Sequence, residues 1–168
     1  MKISTKKGDN GKTTLLSGRK VDKDDMKIEA VGVLDELVSF LGLAKSIIKC
    51  RRRKNIVNGI QKDLFIMGSE LAVDEAGYFK LKKKIDSDKI SSLERLIISF
   101  EKKYKVDSFY YPGKNDVSGR LNVCRAVSRR LERRAVGLKK KKLLNNNRIL
   151  IYLNRLSDLL FLLARSFE

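Results

Sequence analysis

Histidine is absent from this sequence of 168 residues, and its absence excludes several kinds of active site. A Ser-His-Asp triad, a zinc site of the HExxH type and an axial histidine ligand to cobalt or haem all need an imidazole. Any chemistry must therefore use lysine, arginine, carboxylates, backbone amides and a bound cofactor. The sequence offers no set of side chains that we predict to ligate a metal ion.

Proline and cysteine are scarce as well. The single proline and the 7% of aromatic residues favour helices over a turn-rich β-sandwich, while 42% hydrophobic residues exclude a disordered chain. The two cysteines, Cys50 and Cys124, form no CxxC pair and no metal-ligand spacing, so we expect free thiols. Reduced thiols are typical of the cytoplasm, which is the predicted location.

Long apolar runs are also absent, and acidic residues are few relative to basic ones. No stretch of 18 apolar residues occurs, and the first ten residues, MKISTKKGDN, lack the apolar segment of a signal peptide, so we expect no membrane partner. Lysine and arginine total 38 against 20 acidic residues, which gives a net charge of +18. This charge favours nucleic acids, acidic membranes or phosphorylated small molecules, and charge alone does not choose among them.

Apolar residues recur at intervals of three and four along most of the chain, which predicts an all-α protein. The length fits one domain, 1–168, with a loop arm at 1–27 and a helical bundle at 28–168. We predict five helices, at about 29–49, 54–71, 86–104, 118–137 and 147–167. Gly137 is the expected end of the fourth helix. The fifth is apolar on nearly every side, as in a bundle centre or a subunit interface.

Basic runs occur at 51–54, 80–86 and 139–142. We expect them between helices, either as solvated loops or as segments that bind a polyanion.

The arm contains the sequence TKKGDNGKTT, whose glycines, lysines and hydroxyl groups are suited to binding a triphosphate. It resembles a Walker A loop only superficially. Two residues rather than four separate Gly8 from Gly11, and only Ile3 could begin the strand that precedes such a loop. A flexible basic tail is the alternative interpretation.

Two predicted helices carry polar residues that need partners. In the fourth, Arg125, Arg129 and Arg133 are four apart and share one face. They fit phosphates, a carboxylate such as Asp35 of the VLDEL segment, or solvent. In the fifth, the segment YLNRLSD places Asn154, Arg155 and Asp158 in apolar surroundings. These residues either fasten helices or subunits together, or Asn154 contacts a ligand.

Five segments in order, TKKGDNGKTTLLSGRKVDKDD, EAVGVLDEL, FYYPG, CRAVSRRLERRAV and YLNRLSDLLFLLAR, resemble the PduO-type ATP:cob(I)alamin adenosyltransferases over residues 1–165. The resemblance implies a ferritin-like bundle of five helices and a homotrimer with ATP between subunits. It implies Arg129 and Phe109 as catalytic residues, and Asp35 with Arg125 as an intersubunit salt bridge. The implied ATP-binding residues are Thr5, Lys6, Lys7, Gly8, Thr13, Thr14, Lys23, Arg129, Arg130, Glu132, Arg133 and Asn154.

The resemblance also implies the reaction. Cob(I)alamin attacks the 5′-carbon of ATP, with Mg²⁺ present, and triphosphate leaves. No proton is removed from the nucleophile, so the lack of histidine is compatible with this chemistry. Arg129 would stabilise the departing triphosphate, and Phe109 would close the lower face of the corrinoid. A cobalamin reductase or a cobalamin-dependent enzyme is the implied protein partner.

Two other functions compete with this one. A helical nucleic-acid-binding protein would suit the charge, but the sequence lacks an aromatic stacking platform, a zinc module and a helix-turn-helix, so we expect no nucleic acid partner. A trimeric scaffold without catalysis would need neither the glycine-rich arm nor Arg129. The adenosyltransferase is therefore the preferred prediction.

Overall fold

Helices make up most of the computed structural model of this chain, which describes residues 4, 6, 8–104 and 111–168. Two short strands come first, β1 (Lys12–Thr14) and β2 (Lys20–Asp22). The helices that follow are α1 (Met26–Ile47), α2 (Arg51–Leu71), α3 (Glu75–Lys80), α4 (Ser87–Glu101), α5 (Asp116–Lys140) and α6 (Arg148–Arg165). The mainly helical class is confirmed, and the described residues contain six helices where five were predicted.

The additional helix, α3, has only 6 residues. It is too short for its apolar residues to show a helical period, which is why the pattern along the chain did not reveal it. Its start is fixed by Asp74, whose carboxylate accepts a hydrogen bond from the backbone N–H of Gly77 at 2.9 Å.

The predicted loop arm contains a β-hairpin. Strands β1 and β2 are antiparallel, with Thr13 opposite Val21. Leu15 and Arg19 close the connection through a backbone hydrogen bond of 2.8 Å. Gly18 has a φ of +91°, a conformation that glycine adopts without strain and that other residues avoid. The division of the chain at 27/28 also shifts, because α1 begins at Met26 behind the capping residue Asp25.

The three basic runs expected between helices all overlap helices, although the run 80–86 does so only at Lys80, the last residue of α3. Helix α2 begins at Arg51, so residues 51–54 form its first turn, and arginine and lysine are good helix formers. Helix α5 continues past Gly137 to Lys140 because Leu138 is fully buried. A Cβ atom at Gly137 would lie 3.3 Å from Cε of Met26. The glycine therefore permits close helix packing and does not end the helix.

The core lies between the five longer helices. Helix α5 packs against α1 and α6, α1 also packs against α2, and α6 also packs against α4. Ten residues of α6 are buried, which agrees with its predicted apolar character on nearly every side. One of the ten carries a hydroxyl that reaches α2: Tyr152 is fully buried and donates a hydrogen bond of 3.0 Å to the carboxylate of Asp63.

A buried carboxylate joins three parts of the bundle. Glu70 of α2 accepts hydrogen bonds from the backbone N–H of Ile85 at 2.6 Å and from Nδ2 of Asn146 at 2.8 Å. Burial raises the pKa of Glu70, although both hydrogen bonds oppose the shift. The contacts fix the segments that precede α4 and α6, and so set where those helices begin.

The two free thiols differ in environment, which gives a simple test of the fold. Cys50 is exposed, and the backbone N–H of Arg53 lowers its pKa. Cys124 is buried in α5, and burial raises its pKa to about 12. Because the thiolate is the reactive form, we expect a thiol reagent at neutral pH to label one cysteine rapidly in the folded protein and both in denaturant. The Cys50→Ser variant should lose the rapid phase; rapid labelling of a second thiol in the folded protein would contradict the packing of α5.

Candidate active site

The hairpin forms one wall of a cleft of about 710 Å³ near the start of the chain. Its lining residues are Gly8, Asn10, Lys12, Thr13, Thr14, Lys20 and Lys23. Four of them, Gly8, Thr13, Thr14 and Lys23, are predicted triphosphate ligands, and the structure brings these four together. We call this group of residues the hairpin cleft.

The register of the hairpin explains the concentration of positive charge. Thr14 lies opposite Lys20, and Lys12 lies opposite Asp22, so each strand contributes a lysine to the cleft. Lys12 forms an exposed ion pair of 3.7 Å with Asp22. Lys23 approaches the backbone at Gly8 so closely that a Cβ atom there would lie 3.1 Å from its Nζ. Lysines, hydroxyl groups and backbone amides in one cleft are suited to a polyphosphate.

The hairpin is attached to the bundle through residues 72–74, which follow α2. The backbone N–H of Leu16 donates to the carbonyl oxygen of Ala72 at 2.8 Å. The hydroxyl of Ser17 donates to the carboxylate of Asp74 at 3.1 Å. Hydrogen bonds from the Gly77 N–H and from Ser17 lower the pKa of Asp74, so the carboxylate stays ionised at neutral pH. The described part of the arm is therefore docked on the bundle, unlike a flexible tail.

A buried lysine reinforces the same attachment. Lys27, which is 5% exposed, donates from Nζ to the carbonyl oxygens of Val73 at 2.8 Å and Leu143 at 2.7 Å. Burial lowers the pKa of Lys27. The two carbonyl oxygens accept hydrogen bonds from the buried amine. Lys27 therefore joins the start of α1 to the segments that follow α2 and α5.

The arginines of α5 form two rows with different environments. In one row, Arg130 pairs with Glu36 and Arg134 pairs with Glu29, both on α1. Nε of Arg130 is buried and has no hydrogen-bond partner among the described residues. The other row is the predicted face of Arg125, Arg129 and Arg133.

Within that second row, Arg129 and Arg133 are exposed and form no ion pair with any described residue of the chain. Arg125 is half-buried, and its Nε donates to Oδ1 of Asn122 at 3.3 Å. Two guanidinium groups on one face of α5 are thus available to an anion.

A second cavity, of about 450 Å³, lies between α4, α5 and α6. Its lining residues are Glu101, Tyr104, Arg125, Arg129, Ser157, Asp158, Phe161 and Leu162. We call it the Arg129 cavity. Aromatic and aliphatic side chains share its walls with charged groups, so it suits a ligand that has both an apolar surface and an anionic or polar part.

The polar residues of α6 have separate roles. Nε of Arg155 donates to the Glu94 carboxylate of α4 at 3.0 Å, which fastens two helices together as one of the two predicted alternatives requires. Asn154 is exposed, and its Oδ1 accepts a hydrogen bond of 2.9 Å from Arg155. Asp158 faces the Arg129 cavity.

The remaining predicted residues are distributed as follows. Asp35 is exposed on α1 and has no ion-pair partner among the described residues of its own chain. Glu132 is half-buried on α5, and Lys6 is exposed with a φ of +58°. Thr5, Lys7 and Phe109 lie outside the described residues.

The site residues thus occupy two separate cavities of one chain, the hairpin cleft and the Arg129 cavity. Lys12 belongs to the lysines of the arm that suit a triphosphate. Some other lining residues were not predicted: Asn10, Lys20, Glu101, Tyr104, Ser157, Phe161 and Leu162. The dipeptide Ser17-Gly18 is a turn signal that could have predicted the hairpin, and with it Lys20. The residues around Arg129 carry no local signal, because only the packing of three helices brings them together.

The described residues contain neither a metal-binding cluster of acidic and thiol side chains nor a membrane-spanning helix. Within 8–104 and 111–168, no group of three or more cysteine, aspartate or glutamate side chains is arranged to hold a metal ion. No helix in the same ranges is both long enough and apolar enough to cross a membrane.

Comparison with known families gives a match over nearly the whole chain. The model of the family described as cobalamin adenosyltransferase matches residues 3–167. A corrinoid adenosyltransferase from Citrobacter freundii is 39% identical over 165 residues, which cover 98% of this chain and 93% of the relative. The corrinoid adenosyltransferase PduO of Salmonella typhimurium is 36% identical, and this chain spans 49% of its length.

Solved structures give the same result. A variant PduO-type ATP:corrinoid adenosyltransferase from Lactobacillus reuteri, in complex with cobalamin and ATP, superposes with a TM-score of 0.91 at 33% identity. The superposition covers 99% of this chain and 93% of the other. A second variant of that type from the same organism, in complex with ATP, has the same TM-score and identity.

Proposed function

Because this chain belongs to the cobalamin adenosyltransferase family, we propose that its hairpin cleft and its Arg129 cavity are two parts of one adenosyl-transfer site. The enzyme is an ATP:cob(I)alamin adenosyltransferase. It transfers the 5′-deoxyadenosyl group of ATP to the cobalt of cob(I)alamin and releases triphosphate. The observation that carries the assignment of the site is the gathering of the predicted triphosphate ligands Gly8, Thr13, Thr14 and Lys23 in a single docked cleft.

The hairpin cleft binds the triphosphate. Lys12, Lys20 and Lys23 supply positive charge, and Thr13 and Thr14 supply hydroxyl donors. Thr5, Lys6 and Lys7 come from the preceding residues and extend the same basic segment. Attachment through residues 72–74 supports this role, because a preorganised cleft loses less conformational entropy on binding than a free tail would.

The Arg129 cavity receives the corrinoid and the reacting end of ATP. Tyr104, Phe161 and Leu162 offer apolar surface for a macrocycle. The role of Phe109, closing the lower face of the corrinoid, is proposed from the family resemblance alone. Arg129, Glu132, Arg133 and Asn154 contact ATP from α5 and α6. Arg130 contacts it from the row that faces α1, since its ion pair with Glu36 is partly exposed. The unpaired state of Arg129 and Arg133 among the described residues of the chain supports this assignment.

The enzyme works as a homotrimeric five-helix bundle in which α3 is a short addition. The two cavities of one chain are separate, so ATP lies between the hairpin cleft of one subunit and the Arg129 cavity of the next. Asp35 and Arg125, which do not pair with each other within the chain, form a salt bridge between subunits. This arrangement places the nucleotide where both sets of predicted ligands reach it.

The reaction is an in-line displacement. The cobalt of cob(I)alamin donates an electron pair to the 5′-carbon of ATP, the cobalt–carbon bond forms, and the carbon–oxygen bond to triphosphate breaks. The protein aligns the two reactants, and Arg129 with the cleft lysines stabilises the charge of the departing triphosphate. Phe109 and the apolar walls keep water and the lower axial base away from cobalt.

Magnesium enters as part of the substrate. The described residues provide no cluster of carboxylates for a resident ion, and Mg²⁺ usually binds through substrate phosphates with several waters retained. The ATP–Mg²⁺ complex is therefore the form that binds. The cleft lysines offset the negative charge of the triphosphate that Mg²⁺ does not neutralise. A cytoplasmic cobalamin reductase or a cobalamin-dependent enzyme is the proposed partner.

The test is an anaerobic assay of the purified protein with chemically reduced cob(I)alamin, ATP and Mg²⁺. We expect the absorption spectrum to change to that of adenosylcobalamin, with one triphosphate released for each cobalt–carbon bond. A reaction without ATP is the control, because any light-sensitive cobalt–carbon product formed there cannot carry the adenosyl group of ATP. Omitting Mg²⁺ should slow the reaction. If ATP binds but no cobalt–carbon bond forms, the assignment of the corrinoid cavity is wrong. Binding of polynucleotides that weakens steeply with salt, without selectivity for ATP, would favour the nucleic-acid alternative.

A further inference from the structure

Arg53, in the first part of α2, makes contacts that no step of the proposed mechanism uses. Its Nη2 donates to the hydroxyl of Tyr104 at 2.9 Å and to the carbonyl oxygen of Ser166 at 2.8 Å. Its guanidinium group also lies 4.5 Å from the centre of the Phe167 ring. One side chain therefore joins the start of α2 to the residues that follow α4 and α6. We call these four residues the Arg53 clamp.

The end of α6 is fixed from a second direction. Asn115, the N-terminal cap of α5, donates from Nδ2 to the carbonyl oxygen of Phe167 at 2.8 Å. Ser166 thus presents its carbonyl to Arg53 from a segment that is already held. Because Ser166 is in this held segment, its hydrogen bond limits the freedom of the Arg53 guanidinium that binds the Tyr104 hydroxyl.

Tyr104 connects this clamp to the proposed site. Its side chain lines the Arg129 cavity together with Arg129 and Phe161. It also lines a smaller cavity of about 280 Å³ on the side of Arg53. Its ring is stacked on Phe100 with the centroids 5.8 Å apart. Nζ of Lys103 also lies 5.6 Å from the centre of the Tyr104 ring. The tyrosine is therefore a wall that both cavities share, and its hydroxyl is held by Arg53.

From these contacts we infer that Arg53 is a positioning residue for the corrinoid, acting through Tyr104. Its two hydrogen bonds set the position of the Tyr104 ring in the Arg129 cavity, and so the shape of the apolar wall that receives the macrocycle. The inference rests on the proposed function, since it takes the Arg129 cavity to be the corrinoid site. It assigns Arg53 no contact with ATP, because Arg53 lines neither the hairpin cleft nor the Arg129 cavity.

A cycle of three variants tests the inference in the assay described above: Arg53→Met, Tyr104→Phe and the double variant. Methionine removes the donor while keeping much of the side-chain bulk, and phenylalanine removes only the hydroxyl. We expect each single variant to raise KM for cob(I)alamin by about 10-fold, within the range of coupling between contacting residues. KM for cob(I)alamin in the double variant should not exceed that of the more impaired single variant, since both changes break the same hydrogen bond. KM for ATP should change by less than about twofold.

Arg52→Met is the matched control, because Arg52 is exposed and lies next to Arg53 on α2. It should behave like the unmodified enzyme. The inference is overturned if Tyr104→Phe leaves KM for cob(I)alamin unchanged, or if Arg53→Met changes KM for ATP to the same extent. Tyr104→Phe remains informative if Arg53→Met does not fold. An inactive unmodified protein would instead reject the proposed function, so the two failures are distinguishable.

Discussion

Replacing Arg129 with alanine should lower kcat for adenosyl transfer by about 100- to 1000-fold, as does the loss of one donor to a developing anion in other enzymes. Arg129 is exposed in the Arg129 cavity and has no ion-pair partner among the described residues of the chain, so its charge is available to the substrate. Charge on the leaving triphosphate grows as the carbon–oxygen bond breaks. The arginine therefore contributes more in the transition state than in the ATP complex, and KM for ATP should change much less than kcat.

Two variants make this result specific. Arg129→Lys keeps the charge but loses the planar pair of donors, so its kcat should fall between those of the alanine variant and the unmodified enzyme. Arg134→Ala is the control on the same helix, since Arg134 forms an exposed ion pair of 3.0 Å with Glu29. Such pairs contribute about 0–1 kcal/mol, and activity should stay within about twofold. An Arg129→Ala enzyme with normal kcat and a raised KM for ATP would show that Arg129 binds the ground state only.

The sequence predicts the helices well because the apolar period is a direct consequence of burying one face of each helix. The stripe Leu34, Leu37 and Leu41 on α1 is buried as expected. The errors occur where a local rule competes with tertiary packing. Gly137 is a common helix stop, yet α5 continues because Leu138 needs the core and the glycine allows Met26 to approach.

The sequence predicts the residues of the hairpin cleft better than those of the Arg129 cavity. The arm motif identifies Gly8, Thr13, Thr14 and Lys23 because they are close in sequence, and the hairpin keeps them close in space. Tyr104 was not identified, because its place beside Arg129 depends on how α4, α5 and α6 pack. Sequence spacing also places Arg125, Arg129 and Arg133 on one face of α5, which agrees with the continuous helix there. It does not reveal that Arg130 and Arg134 form ion pairs with carboxylates of α1, since Glu36 and Glu29 are about 100 residues away along the chain.

The two rows of arginines also explain how α5 serves stability and chemistry together. The row that faces α1 is neutralised by carboxylates, so the helix docks without leaving unpaired charge in that contact. The positive charge of the row Arg125, Arg129 and Arg133 is not neutralised, because among the described residues no carboxylate forms an ion pair with it. The unpaired row is therefore available to an anionic ligand or, in the proposed trimer, to a carboxylate of the next subunit.

Reversing the charge of Asp35 tests where that carboxylate comes from. If Asp35 pairs with Arg125 of an adjacent subunit, Asp35→Arg places two like charges together at every interface of the trimer. Breaking a close charge pair across an interface costs roughly 2–5 kcal/mol, and a cyclic trimer repeats the contact at each of its interfaces. We expect the variant to sediment as a monomer and to lose adenosyl transfer, because the hairpin cleft of one subunit no longer meets the Arg129 cavity of the next.

The charge-swapped double variant, Asp35→Arg with Arg125→Asp, is the decisive partner of that experiment. It has the same net charge as the unmodified chain. It restores a pair of opposite charges at the interface, with the arginine now at position 35 and the aspartate at position 125. Sedimentation should recover the trimer. Activity should return only in part, because Arg125 also lines the Arg129 cavity and the introduced aspartate would place a carboxylate there beside the triphosphate. A single variant that remains trimeric and fully active, or an unmodified chain that sediments as a monomer, would contradict the intersubunit pair and with it the shared site.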